Sequence, residues 1–169
     1  MIRPIAKYGD EVLRRTAEPV ESVTPEIQRL IDDMVETMYA VSGVGLAAPQ
    51  IGVSRRIFVA DPSSGHRDED LVVMVNPEII EREGVQTEPE GCLSLPGFEG
   101  SIARPTRVVV RGLDREGDQH EIEGTDLLAR AFQHEMDHLE GSLFLDHLRG
   151  FTREAILRKI RKLRRSGKW

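Results

Sequence analysis

Cysteine is nearly missing from this chain of 169 residues: Cys92 stands alone. A single thiol excludes an internal disulfide and suits a reducing compartment. Long apolar runs are missing too, and no stretch approaches the ~18 residues that a membrane span needs. Residues 1–6 carry no extended apolar core and no small-residue cleavage site, so no secretory signal is expected. Asp10, Glu11 and Glu18 come too early for an acid-poor transit peptide. A cytoplasmic protein is expected. No repeat, low-complexity tract or Pro/Gly/Ser linker divides the chain, so a single catalytic-sized domain over residues 1–169 is expected. Hydrophobic residues make up 39% and charged residues 31%, which is the composition of a globular protein rather than a disordered one. The net charge of −6 argues against a surface built to grip nucleic acid, and no specific DNA partner is expected.

The charge is uneven. Residues 152–169 hold eight basic side chains and one acid, Glu154, for a charge of +7. The other 151 residues carry −13. Such a tail is either a docking element or a solvated helix face.

Hydrophobic spacing sets out the elements. Thr24-Pro25 offers an N-cap followed by proline at the first helical position. Ile27, Leu30, Ile31, Met34, Val35 and Met38 follow at helical spacing, up to a stop before Ser42-Gly43. The next segment, Gly43 to Gln50, is too glycine-rich for a clear strand or helix. Short β-branched runs at 56–60, 71–75 and 106–111 read as strands, with a polar loop at 61–70, and 119–123 reads as one more. A second helix begins near Thr125-Asp126 and ends at Gly141. A third, basic helix begins at Thr152, with Ile156, Ile160 and Leu163 on one stripe. Strands cluster in mid-chain without alternating with helices. The expected class is therefore α+β, with mostly antiparallel sheets around a central helix and a helix at the C-terminus.

That central helix carries the chemistry. His134-Glu135-Met136-Asp137-His138 puts two imidazoles four residues apart, on one helical face, where both can reach one metal ion. Glu135 lies beside the first of them and can take a proton from water at the metal. Leu127 and Ala131 extend the same face, which predicts its burial. The bland alternative is two unrelated histidines on an amphipathic helix.

A catalytic site needs a third protein ligand and an open position. A zinc endopeptidase using this motif would place a histidine at residue 144, which is Phe144, and no methionine follows Met136. Glu140, Asp146, His147 and Glu154 lie downstream at spacings that fit no known pattern. Upstream, Cys92 sits in Glu90-Gly91-Cys92-Leu93-Ser94. A thiolate is a strong ligand for divalent zinc or iron, whereas a lone cysteine is commonly just a small buried hydrophobe.

Three segments together resemble the peptide deformylase family: Gly43-Val44-Gly45-Leu46-Ala47-Ala48-Pro49-Gln50, Glu90-Gly91-Cys92-Leu93-Ser94, and Gln133 through Gly141. Their order and separations match from about Pro4 to the last helix. The resemblance implies Cys92, His134 and His138 as metal ligands. It implies Fe²⁺ as the usual ion, replaceable by Zn²⁺, Ni²⁺ or Co²⁺. It implies Glu135 as general base and then acid, with the Gln50 side-chain amide and the Leu93 N–H stabilising the oxyanion. The substrate would be an N-formylmethionyl peptide, which loses its formyl group as formate. It would bind as an added strand against Val44 and Gly45 on one side and Gly91 on the other, with the methionine side chain walled by Val44, Leu127, Ala131 and His134. Glu90 and Arg104 match a family ion pair that braces the Cys92 turn, and Gln133 is a further candidate support. Asp137 points away from the histidine face, as a solvated residue would. Glu88, Glu99 and Arg130 differ from residues common in relatives near the pocket, which bears on preference beyond methionine.

Two other classes compete. The zinc endopeptidase reading requires a downstream third ligand. A binding module docking through its basic tail, for example onto the ribosome, would not need Glu135.

Overall fold

A computed structural model describes residues 1–169. The first long helix, α1 (Pro25–Ala40), starts where the sequence predicts: the Thr24 hydroxyl accepts a hydrogen bond from the Ile27 N–H at 3.3 Å. It buries Ile31, Met34 and Met38, the spacing of one helical face.

Five strands form one antiparallel sheet in the order β1 (Gly45–Ala47), β2 (Ile57–Ala60), β3 (Val72–Glu83), β6 (Arg107–Leu113) and β7 (Gln119–Thr125). A separate two-stranded ribbon pairs β4 (Gln86–Gly91) with β5 (Glu99–Arg104). The sheet is covered on both faces. Ile57, Val59, Val73 and Val75 pack with Ile31, Met34 and Met38 of α1. Phe58, Ala60, Met74, Val108 and Val110 pack with Ala129, Ala131, Phe132 and Leu139 of the second helix, α2 (Asp126–Leu139). Double cover explains why β2 reads as an unbroken apolar run rather than an alternating one.

The sheet strands all appear, with shifted ends. β3 runs eight residues beyond the predicted stop at Val75. It passes Asn76-Pro77 by shifting register between Val75 and Glu78, where a proline is tolerated because ladder bonds lapse. The Asn76 side chain fixes that bend, with its Oδ1 accepting from the Val20 N–H and its Nδ2 donating to the Val20 carbonyl, both at 2.8 Å. Glycine-rich residues 43–50 contain β1 and a 3-10 turn, Ala48–Ile51.

α2 spans from sheet to ribbon, and Gly141 beyond it adopts φ 76°, as a helix stop requires. The chain then makes a 3-10 turn, Phe144–His147, and enters α3 (Gly150–Arg165), two residues earlier than the sequence suggests. Ile156 and Ile160 hold α3 on a third cluster with Leu95, Ile102, Leu143, Phe144, Leu145 and Leu148. No helix is long and apolar enough to cross a membrane.

Candidate metal centre

Three donors converge where α2 meets the chain leaving β4. Cys92 Sγ, His134 and His138 lie within 4.8 Å of one another. The gap is 3.3 Å from Cys92 Sγ to His138 Nε2, and 3.2 Å between the two Nε2 atoms. Ligands ~2.0–2.3 Å from a common tetrahedral ion sit roughly 3.3–3.6 Å apart, so the spacing of these donors is close to that of three ligands of one ion. The tautomer agrees. Glu90 Oε2, which can only accept, lies 2.7 Å from His134 Nδ1. Nδ1 therefore carries the proton and Nε2 offers its lone pair to the centre. The downstream ligand candidates are engaged elsewhere or apart from this group. Glu140 pairs with Arg56, Asp146 with Arg14, and His147 with Asp137, while Glu154 is exposed on α3. Phe144, where an endopeptidase would need its third ligand, is buried and stacks on the His134 ring at 6.5 Å between centroids.

Glu135 is buried beside these donors, and its Oε2 has no hydrogen-bond partner. Burial is the main cause that raises its pKa to about 7, with the nearby Glu90 and Asp137 adding to it against the pull of His134. A carboxyl titrating there suits a group that must both accept and release a proton at neutral pH. Glu135 also explains a glycine. A Cβ on Gly45 would lie 2.6 Å from Glu135 Oε1.

Gln50 is buried and does two things at once. Its Oε1 accepts from the Ala47 N–H at 3.0 Å, capping the loop. Its Nε2 donates to Ser94 Oγ at 3.2 Å and lies 3.7 Å from Cys92 Sγ, at the centre. The Leu93 N–H donates no hydrogen bond within the chain, in a turn closed by Leu95 N–H to Cys92 carbonyl at 3.0 Å.

These groups open into a pocket of about 650 Å³. Its lining includes Val44, Gly45, Gly91, Leu93, Leu127, Ala131, His134 and Glu135, which brings together every residue predicted to touch substrate. β1 forms one wall, and as the edge strand it has one unpaired side. Leu127 departs from the expected buried face. It is 45% exposed at the pocket, in the first turn of α2.

The supports differ more. Glu90 and Arg104 do pair, at 2.7 and 3.2 Å, both buried. Burial would raise the Glu90 pKa, but hydrogen bonds from His134 and Arg104 overcome it and hold it at about 2. Gln133, in contrast, does not reach the Cys92 turn. Its amide donates to the Ala129 carbonyl at 3.0 Å and the Pro105 carbonyl at 3.5 Å. Asp137 is not a merely solvated residue either: its Oδ2 accepts from Arg104 Nη1 and His147 Nε2, each at 2.8 Å. Glu88 is exposed, and its carbonyl accepts from Arg130 Nη1 at 3.2 Å. Sequence reasoning missed Ser94, which anchors Gln50. Arg130, read only as a departure near the pocket, is buried there and donates to Gln86 Oε1 at 2.6 Å, a role the sequence did not reveal. Ser94 was legible through its place in the Cys92 motif. Arg130 was not, because its partners lie some forty residues away.

An α+β fold that gathers Cys/His/His donors beside a buried carboxyl group at the edge of a β-sheet defines a metal-dependent hydrolase. The family model described as polypeptide deformylase matches residues 2–154. A peptide deformylase of Acidobacterium capsulatum is 50% identical over 169 residues, covering 100% of this chain and 99% of the relative. One from Thermodesulfovibrio yellowstonii is 49% identical over 160 residues, covering 95% and 97%. The crystal structure of a Legionella pneumophila peptide deformylase superposes with a TM-score of 0.91 at 46% identity, covering 99% of this chain and 98% of that one. That from Ehrlichia chaffeensis in complex with actinonin gives 0.87 at 38%, covering 95% and 96%. The chain belongs to the polypeptide deformylase family, metal-dependent hydrolases that remove the formyl group from the N-terminal formylmethionine of new polypeptides. Nothing in the site favours an endopeptidase.

Proposed function

We propose that Cys92, His134 and His138 hold the catalytic ion in this chain, and that Glu135 moves the protons of the reaction. The observation that carries this is the donor triangle with edges of 3.2 and 3.3 Å beside a buried carboxylate whose second oxygen is unpartnered. A divalent ion bound there supplies Lewis acidity to the formyl oxygen and acidifies a water. Glu135 removes a proton from the attacking water as its oxygen adds to the formyl carbon. The Gln50 Nε2–H and the Leu93 N–H, both beside the donor triangle, donate to the oxyanion that develops. Glu135 then delivers the proton to the departing nitrogen as the C–N bond breaks, leaving formate and a free α-amine.

Substrate binding follows from the open edge of β1. The peptide adds as a strand between Val44-Gly45 and Gly91, a mode that reads backbone and tolerates sequence. Its methionine side chain enters between Val44, Leu127 and Ala131. The ion is Fe²⁺, as the family resemblance implies; a thiolate with two imidazoles suits iron and zinc alike, and Zn²⁺, Ni²⁺ or Co²⁺ could replace it. Residues 1–169 act as one catalytic domain in the reducing cytoplasm, where Cys92 escapes oxidation and stays available as a ligand. The basic helix over residues 152–169 turns the site toward the ribosome.

The test is Glu135→Gln. It should keep the metal content of wild type and lose ~10²–10⁴-fold in turnover of a formyl-Met-Ala peptide. Wild-type formate release at full metal occupancy would remove Glu135 from the role.

A further inference from the structure

A chain of short polar contacts runs from the surface to the buried ligand His134. His147 Nε2 lies 2.8 Å from Asp137 Oδ2, and Arg104 Nη1 donates to the same oxygen at 2.8 Å. The same guanidinium donates through Nη2 to Glu90 Oε2 at 2.7 Å, and that oxygen receives His134 Nδ1–H, also at 2.7 Å. The side chains become more buried along the way, from 41% exposed at His147 through 23% at Asp137 to 5% at Arg104 and 4% at Glu90. Glu90 alone cannot fix the His134 ring unless Glu90 itself is fixed. Arg104 fixes it with a two-toothed grip, and the planar guanidinium is in turn oriented by its third contact, Asp137.

We propose that Asp137 and His147 are positioning residues for the metal centre, holding His134 through Arg104 and Glu90. The inference rests on His134 being a ligand, as proposed above. Asp137 stands one turn beyond His134 on α2, so the helix carries both the ligand and the far end of its brace. His147 closes the brace from the turn Phe144–His147, whose other end, Phe144, stacks on the His134 ring. That short turn thus meets His134 twice, once by a ring face and once through four polar side chains. A solvated acid on the rear face of α2 would make neither contact.

The measurement is affinity for Co²⁺ by chelator competition, read together with the visible absorption of the Co²⁺-loaded protein. Wild type should bind one ion and His134→Ala should not; if His134→Ala binds as wild type does, the ligand reading itself fails. With that settled, Asp137→Asn should weaken binding ~10–100-fold and shift the Co²⁺ bands, as loss of an outer partner does. His147→Ala, at a half-exposed position that tolerates change, should give a smaller loss in the same direction. Glu140→Gln, at the same helix end but paired with Arg56, should leave both readouts unchanged. The decisive comparison is the double variant with Glu90→Gln. If Asp137 acts through Glu90, the two losses are strongly non-additive, whereas independent structural damage adds. Additive losses, or wild-type affinity and bands in both Asp137→Asn and His147→Ala, would overturn the proposal. Should Asp137→Asn fail to fold, His147→Ala and its own cycle with Glu90→Gln decide on the same terms.

Discussion

Gly45 shows how far one missing methyl group can matter. It lies on β1 at the pocket, and an added Cβ would sit 2.6 Å from Glu135 Oε1, well inside contact distance. The atoms it would meet all belong to the Glu135 side chain, which is buried, so relief of the clash comes at the carboxyl. Gly45→Ala should therefore displace the Glu135 carboxyl while leaving Cys92, His134 and His138 in place. The expected result is a fall in kcat for a formyl-Met peptide with wild-type metal content. Unchanged kcat would mean that β1 shifts instead and that Glu135 tolerates the shift. At this scale the sequence is legible wherever the chemistry is local. His134, Glu135 and His138 are set by helical spacing alone, and Cys92 by its motif. Asp137, His147 and Arg130 read as solvated, unassigned or merely divergent, because the partners that define them lie ten to forty-four residues away and no spacing rule connects them.

At the scale of elements, legibility follows the strength of the hydrophobic period. α1, α2 and the strands β2, β3, β6 and β7 are visible in the sequence, with errors confined mainly to ends, whereas β1 lies in the glycine-rich stretch that shows no clear period. The ribbon β4–β5 is invisible there. Its strands read Gln-Thr-Glu-Pro-Glu-Gly and Glu-Gly-Ser-Ile-Ala-Arg, and only Glu90, Ile102 and Arg104 are buried. Two of those three are charged, so no apolar alternation remains to signal a strand. The loop over residues 61–70, correctly read as polar, has a structural duty that polarity alone does not reveal. Asp61 is buried, accepting from Tyr39 Oη at 2.6 Å, Ser63 Oγ at 2.7 Å, and the Ser63 and Gly65 N–H groups. From this fold-back its N–H reaches the Val44 carbonyl at 2.9 Å, and Ser64 Oγ donates to the Gly43 carbonyl at 3.0 Å. The loop thereby braces the strand that should receive the peptide. Burial pushes the Asp61 pKa up, but the hydrogen bonds more than offset it, and the net shift is downward from 3.8. A depressed folded-state value means that this carboxylate stabilises the fold at pH above its ordinary pKa. The contribution fades as pH falls through that value toward the folded one. Asp61→Asn should therefore lower stability near pH 7 and flatten the acid limb of the stability–pH curve, measured by urea unfolding. It should also raise KM more than it lowers kcat, because Val44 loses its brace while the metal donors do not. A variant whose acid limb matched wild type would show that Asp61 is not among the groups that set it.

The whole molecule is electrically divided, and the division coincides with an element. α3 is fastened by its apolar stripe, with Ile156 at 7% and Ile160 at 1% exposure, and by the turn after it, where the Trp169 indole N–H donates to the Tyr8 carbonyl at 2.8 Å. Fastening from one side leaves Arg158, Lys159, Arg161, Lys162, Arg164 and Arg165 exposed. Arg158, Lys162 and Arg165 form no ion pair with the acidic body, although the body could supply partners in number. A face that stays unpaired beside so much opposite charge is available to an external polyanion, and the substrate emerges from a particle whose surface is largely RNA phosphate. Binding of that kind releases counterions, so its logarithm should fall linearly with the logarithm of salt concentration. Reversing Arg158, Lys162 and Arg165 to glutamate leaves the apolar stripe and all three motifs intact. The triple variant should keep wild-type turnover of a free formyl peptide and wild-type unfolding. Its association with ribosomes, measured by co-sedimentation at low salt, should drop steeply, and the slope against salt should become shallower by ~0.7–0.9 for each phosphate that the helix no longer neutralises. Equal association of wild type and variant across the salt range would show that α3 is a solvated helix and that the polypeptide reaches the site without docking by this face.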